Sequence, residues 1–333
     1  MAQGAGGELM DRLLEDSVLK KFTKGKVGAV GLADLDDGAS LEVGDFEVIV
    51  STDGHTVNPV FFPGGDIGSL AACGTMNDIS VMGTKPVALT SSIILEEGFL
   101  ISDLEKILLS MNESCDEVGT SLIAGDTKVM ETGALDKIVI TTTGLGITKK
   151  ENIVRDSGLK VGDKIIISGT VGDHGISLMS FREGFGFETK LKSDVAPVWD
   201  MVEKALRASE VHAMKDPTRG GLAAALNEFA RKSGVGILVK EEDIPLKDEV
   251  ISASEMLGLD PFMVANEGKV VFGVTARDAV EVLKAIKSTP IGKEARICGE
   301  VIDKYRKKVI LETSIGGKKI MEMPVGDPVP RVC

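Results

Sequence analysis

Basic charge, paired cysteines and long apolar runs are all scarce in this 333-residue sequence, and each shortage removes a class of protein. Lys and Arg total 38 against 51 Asp and Glu, a formal net charge of −13. That balance argues against a nucleic-acid or anionic-membrane partner, since both reward a basic surface. No apolar run approaches the roughly 20 residues of a membrane span. The opening "MAQGAGGELMDRLLEDS" lacks the basic and apolar regions of a signal peptide, so a cytoplasmic location is the expectation. The four cysteines, Cys73, Cys115, Cys298 and Cys333, are widely spaced and form no C-x-x-C pair, which leaves no zinc or iron–sulfur signature. The two standard nucleotide motifs, G-x-x-x-x-G-K-[ST] and G-x-G-x-x-G after a strand, are absent as well. A nucleotide-binding fold here is therefore neither P-loop nor Rossmann.

What is present is a globular balance of 43% hydrophobic and 27% charged residues, over a length that suits two α/β domains. Apolar spacing predicts helices over 8–22, 66–82, 102–118, 194–208, 220–233, 247–257 and 277–287. Runs rich in β-branched residues predict strands over 46–52, 137–147, 164–170, 269–274, 297–302 and 308–313. The turn-prone "RDSGLKVGD" places a domain boundary near residue 155, giving domains 1–155 and 156–323 and a tail, 324–333.

Acidic segments recur where strands are expected to end. "LDDGAS" carries Asp36 and Asp37, "STDGH" Asp53, "MNDIS" Asn77 and Asp78, "GDTK" Asp126 and Lys128, and "KDPTRGG" Asp216 and Arg219. Each alone is ordinary turn or cap chemistry. Gathered at one cleft they would supply the hard oxygen ligands that magnesium takes when it binds a nucleotide. The glycine-rich "QGAGGELM" could bring backbone amides close to a phosphate, and the helix that follows adds favourable partial charge.

The last residue is Cys333, in "DPVPRVC". A chain end offers little burial, so packing does not explain a cysteine there. Buried free thiols account well for Cys73, Cys115 and Cys298. An exposed terminal thiol is instead a reactive one. Pro324, Pro328 and Pro330 favour an extended tail, and ten extended residues reach roughly 30 Å at about 3.1 Å each.

The set "GAGGELM", "STDGHTVNPVFFPGGDIGSLAACGTMNDISVMG", "GDTKV", "SGTVGDHG", "MKDPTRGGL", "ANEGK" and "PRVC", in that order over nearly the whole chain, resembles the HypE family of hydrogenase maturation factors. That family belongs to the superfamily of aminoimidazole ribonucleotide synthetase and selenophosphate synthetase. The resemblance implies a two-domain α/β (α+β type) PurM-like fold, with N-terminal sheets paired in a homodimer and a mobile tail. It implies that a carbamoyltransferase, HypF, loads a carbamoyl group onto Cys333. The S-carboxamide is then dehydrated with ATP to a thiocyanate, and the cyano group passes to iron held by a HypC–HypD complex. Asp37, Asp53, Asp78 and Asp216 would gather Mg2+ around the triphosphate. Gly4, Gly6, Gly7, Asn77, Asp126, Thr127, Thr218 and Arg219 would line the same cleft. Lys128 and Glu267 become candidates beside the carboxamide, because dehydration needs a proton acceptor and charge stabilisation. One departure is Gln3, which stands where family members carry His ahead of the glycines.

Two rivals share parts of this pattern. A selenophosphate-synthetase-like kinase would carry a reactive cysteine near the first glycines, whereas the first cysteine here is Cys73. A non-enzymatic scaffold would use "PVPRVC" as a docking peptide.

Overall fold

The structure, a computed structural model, describes residues 7–182 and 190–325. In chain order the elements are α1 (Gly7–Leu13), β1 (Ala39–Val43), β2 (Phe46–His55), β3 (Phe61–Phe62), β4 (Gly65–Asp66), α2 (Ile67–Val81), β5 (Pro86–Glu96), α3 (Ile101–Val118), β6 (Ser121–Met130) and β7 (Ile138–Thr148). There follow β8 (Lys164–Ile167), α4 (Asp173–Arg182), α5 (Trp199–Ala208), β9 (Val211–Lys215), α6 (Gly221–Ser233), β10 (Gly236–Lys240), α7 (Asp248–Leu257), β11 (Val271–Val274), α8 (Ala279–Lys287), β12 (Arg296–Ile302), β13 (Val309–Glu312) and β14 (Lys318–Met321).

The first half builds a five-stranded sheet of order β1-β2-β7-β5-β6, in which only β5 and β6 run parallel. Helix α2 lies against β2 and β7. Its approach is close because β7 offers glycines: a Cβ on Gly144 would stand 2.9 Å from Thr75 and Ile79, and one on Gly146 2.7 Å from Ile79. Helix α2 is buried almost all round and so lacks the one-sided stripe of a surface helix. The Asp66 carboxylate caps its start, accepting from the N–H groups of Gly68 (2.7 Å) and Ser69 (3.0 Å). Helix α3 covers α2 through Ile107, Met111, Cys115 and Val118, and ends on left-handed Gly119.

The second half builds a seven-stranded sheet of order β14-β13-β10-β12-β8-β11-β9. Both of its faces are covered. Ile165 and Ile167 of β8 pack with α6, while Ile166 between them packs with α5 and α8. Burial on both faces is why "KIII" shows no polar alternation. A further apolar cluster joins Ile67, Leu70 and Met76 of α2 to Ile176 and Leu178 of α4 and to Val250 and Val264, so the halves share a core.

The helix expected over 194–208 starts at Trp199. Pro197 lacks an N–H and disfavours helical backbone before it. The helix expected over 8–22 divides into α1, a π turn (Leu14–Val18) and a 3-10 turn (Leu19–Lys21). Leu13 and Phe22 are exposed there, so no core enforces the periodicity. Among the described residues, no helix is long and apolar enough to cross a membrane.

Candidate active site

Three carboxylates from distant parts of the chain converge. Asp37 stands in the turn before β1, Asp78 on α2 and Asp216 directly after β9, and each offers an oxygen within 4.8 Å of the others'. Asp78 Oδ2 accepts a 2.6 Å hydrogen bond from Ser51 Oγ of β2. Asp37 Oδ1 is taken by Lys215 Nζ, which Glu228 Oε2 of α6 holds from the other side at 3.2 Å. Asp37 Oδ2 is buried and has no hydrogen-bond partner. Asp53 of β2 borders the trio without joining it: its Oδ2 accepts weakly from Thr75 Oγ1 at 3.4 Å.

The electrostatics match a missing positive charge. Burial, then the charges of Asp53, Asp216 and Asp37, pushes the Asp78 carboxyl well above the usual range. Burial, then Asp37, pushes Asp216 up to about 8, against the pull of Lys215. Asp36 goes up to about 7 through burial and the nearby Asp156 and Asp37 charges. Burial opposes the charge on Lys215, yet Asp37 and Glu228 outweigh it and keep the ammonium protonated. A divalent cation among these oxygens would reverse the carboxylate shifts. The orphaned oxygen of Asp37 and the all-oxygen donor set fit Mg2+, with Asp37, Asp78 and Asp216 to hold it.

Thr218 and Arg219 follow Asp216 in the loop to α6. Arg219 is exposed. Burial lowers the pKa of His55 at the end of β2, against the Asp53 charge and with a smaller contribution from Arg219. Glu267 is buried in the loop before β11. Its charge reaches Cys73 on α2, although burial is the larger cause of that thiol's shift.

Other expected residues stand elsewhere. "MNDIS" is mid-helix in α2, inside the helix expected over 66–82, and "GDTK" is mid-strand in β6, so neither stands at a strand end. Asp126, Thr127 and Lys128 pair with Ser92, Ile93 and Ile94 of β5 on the exposed sheet edge. With β5 and β7 between, they lie three strand spacings from β2, about 14 Å. Within one chain they do not line the carboxylate cleft. Nor does the Asn77 amide open onto it, because its nitrogen and oxygen are both engaged by backbone groups of the second half. Gly7 abuts the root of the tail: its φ is +70°, and a Cβ there would meet the Pro324 carbonyl oxygen at 2.1 Å. Gly4, Gly6 and Cys333 lie outside the described residues.

The buried lysines were missed in the sequence. Lys215 bridges to Asp37, and Lys232 binds Asp156 and the Leu35 carbonyl, so two lysines of the second half reach into the first, one to an acid and one to a backbone oxygen. Only the adjacency of Lys215 to Asp216 in "MKDPTRGG" hinted at this. The thiols of Cys73, Cys115 and Cys298 are free and buried, and burial pushes them up to about 12, 11 and 12. They are inert at neutral pH.

Residues 35–148 match the family AIR synthase related protein, N-terminal domain, and residues 160–312 match its C-terminal domain. A putative hydrogenase expression/formation protein of Methanocaldococcus jannaschii is 50% identical over 99% of this chain and 98% of its own length. The carbamoyl dehydratase HypE of Escherichia coli K12 is 38% identical over 100% of this chain and 98% of its own. Among solved structures, HypE from a HypE–HypF complex superposes with a TM-score of 0.87 at 44% identity, covering 94% of this chain and 99% of that one. HypE in complex with ATP superposes with a TM-score of 0.84 at 38% identity, covering 99% and 98%. Thiamine monophosphate kinase of Aquifex aeolicus, at 20% identity and a TM-score of 0.66, shares the fold alone.

Proposed function

The chain belongs to the HypE family of carbamoyl dehydratases, and we propose that its terminal thiol, Cys333, carries the group on which that activity acts. The activity is an ATP-dependent dehydration in hydrogenase maturation. The observation that carries the reading is the Asp37–Asp78–Asp216 cluster, with its unpartnered Asp37 oxygen, in a fold whose relative binds ATP.

The chemistry follows from what an amide must lose. The carboxamide oxygen attacks the γ-phosphorus of ATP and ADP leaves. The nitrogen then gives up its two protons as the carbon–oxygen bond breaks, releasing phosphate and leaving S–C≡N. Asp37, Asp78 and Asp216 would hold Mg2+, which would supply charge neutralisation for the phosphates. Lys215 balances part of the trio's negative charge and fixes one oxygen of Asp37. Thr218 and Arg219, two and three residues after Asp216, are the candidates for contacts to the nucleotide phosphates, and Glu267 is the candidate acceptor for the nitrogen's protons. Asp53, whose charge acts on Asp78, would add to the negative charge that a cation at the trio would offset. The inert thiols of Cys73, Cys115 and Cys298 favour Cys333 as the carrier.

HypF as carbamoyl donor, a HypC–HypD complex as cyanide acceptor and a cytoplasmic setting complete the proposal. A homodimer belongs to it too: β6 is an edge strand exposed from Ser121 to Val129, the kind of strand that a second copy covers. Lys128, Asp126 and Thr127 stand on that edge.

Mass spectrometry of the C-terminal peptide tests the carrier. HypF with carbamoyl phosphate and ATP should add a carbamoyl mass at Cys333, and the protein's own ATP-dependent step should then remove one water. Cys333→Ala should take neither modification yet still bind ATP. Labelling at Cys73, Cys115 or Cys298 with the terminal peptide untouched would overturn the reading.

A further inference from the structure

Asn77 and Asp78 are neighbours on α2, about 100° apart around the helix. Asp78 faces the carboxylate cluster, and Asn77 faces the second half of the chain. Asn77 is 1% exposed. Its Nδ2 donates to the carbonyls of Ala196 and Glu267, each at 3.1 Å, and its Oδ1 accepts the N–H of Val198 at 2.9 Å. Three bonds nearly exhaust what a side-chain amide can make.

The other end of the Glu267 peptide is held as well. Its N–H donates to Asp194 Oδ1 at 3.1 Å, and Asp194 Oδ2 is paired with Lys269 Nζ at 2.9 Å. Both side chains of that pair are buried. Between them Gly268 passes so close to the Asp194 carbonyl oxygen that a Cβ would stand 2.0 Å away. The loop at 267–269 is therefore fixed by Asp194 from its own domain and by Asn77 from the other.

We infer that Asn77 is a positioning residue that sets the placement of Glu267 from the same helix that presents Asp78 to the carboxylate cluster. This rests on the reading of Glu267 as the proton acceptor. Its consequence is mechanical: the acceptor is placed relative to the Asp37–Asp78–Asp216 cluster through one buried helix and one side chain. A shift of about 1 Å in such a group is enough to cost on the order of 100-fold in rate.

The test uses the full chain, carbamoylated at Cys333 by HypF, in single turnovers followed by mass spectrometry. Asn77→Ala should slow dehydration about 10- to 100-fold while the Kd for Mg·ATP, measured by calorimetry, stays within about threefold because no ligand to metal or phosphate is removed. In a Glu267→Gln background the same substitution should slow the reaction no further. Amide exchange over residues 265–269 should quicken in Asn77→Ala with β11 and β12 unchanged. Asn77→Ser, which keeps one donor, replaces the alanine variant if that one does not melt cooperatively. A slow Glu267→Gln on which Asn77→Ala multiplies a further loss overturns this inference alone, and so does a parallel fall in ATP affinity. Dehydration at the parental rate by Glu267→Gln overturns the role of Glu267 and this inference with it.

Discussion

At the scale of single residues, burial decides which ionisable groups do chemistry and which hold structure. Asp78 keeps a carboxylate in a buried, negatively charged setting that raises its pKa, an arrangement that costs stability unless a cation is present. Asp78→Asn should therefore abolish ATP turnover while the thermal midpoint without Mg2+ holds or rises; parental turnover would remove Asp78 from the site. His174 is the opposite case. It is fully buried, its Nδ1 is 2.7 Å from Ser193 Oγ and its ring meets Phe62 edge-on. Burial pushes it down to about 4 from 6.5, against the nearby Asp194. The unfolded chain thus takes up a proton that the folded chain refuses. Stability is full above pH 6.5 and is lost as the pH falls toward 4. Between pH 7 and 5 the parent should lose about 2 kcal/mol more than His174→Gln, read from urea unfolding; equal losses would show that His174 does not titrate in that range. The aspartates could be picked out as candidates because they recur in short acidic motifs such as "LDDGAS", "MNDIS" and "KDPTRGG". Their convergence could not, because Asp37, Asp78 and Asp216 meet only when the two halves dock.

Among the elements, α2 contributes most to the site. It carries Cys73, Asn77 and Asp78, spans the shared core and packs at glycines on both sides. A Cβ on Gly68 would stand 2.1 Å from the Ile107 carbonyl oxygen of α3, a backbone atom that cannot swing aside. Gly68→Ala should cost about 1–3 kcal/mol through overpacking, seen as a lowered midpoint in urea; an unchanged midpoint would mean that α3 slides freely on α2. This helix was legible from its apolar density and length. Strand β6 was not, since "SLIAGDTKVM" is exposed on both faces of an edge and shows no burial alternation. Its acidic centre therefore reads as a turn. Strand β9 and helix α4 also escaped notice, β9 because it is short and α4 because it is buried on nearly all sides and has little periodicity.

For the whole molecule, the two halves are joined by a common apolar core, by Asn77, by the Lys215–Asp37 bridge and by the bond from Lys232 to the Leu35 carbonyl. The free edge of the first sheet remains to be accounted for. Leu122 (49%), Ile123 (61%) and Val129 (62%) are exposed along β6, and Leu109 (59%) is exposed on α3. Among the described residues no strand pairs with the outer side of this ten-residue edge, and its apolar side chains invite a second copy rather than water. We expect light scattering after size exclusion to give twice the 35.1 kDa chain mass. Ile123→Lys, which sets a charge on the edge without touching the core, should return the monomer. Because Asp126, Thr127 and Lys128 lie on the same strand and about 14 Å from their own chain's β2, pairing is the route by which they could reach a cleft, the partner's. The lysine variant should then lose dehydration along with dimerisation while keeping its fold by circular dichroism. A parent that runs as a monomer, or a dimer untouched by Ile123→Lys, removes β6 as the interface. A monomeric variant with full activity leaves Lys128 without a part in the reaction.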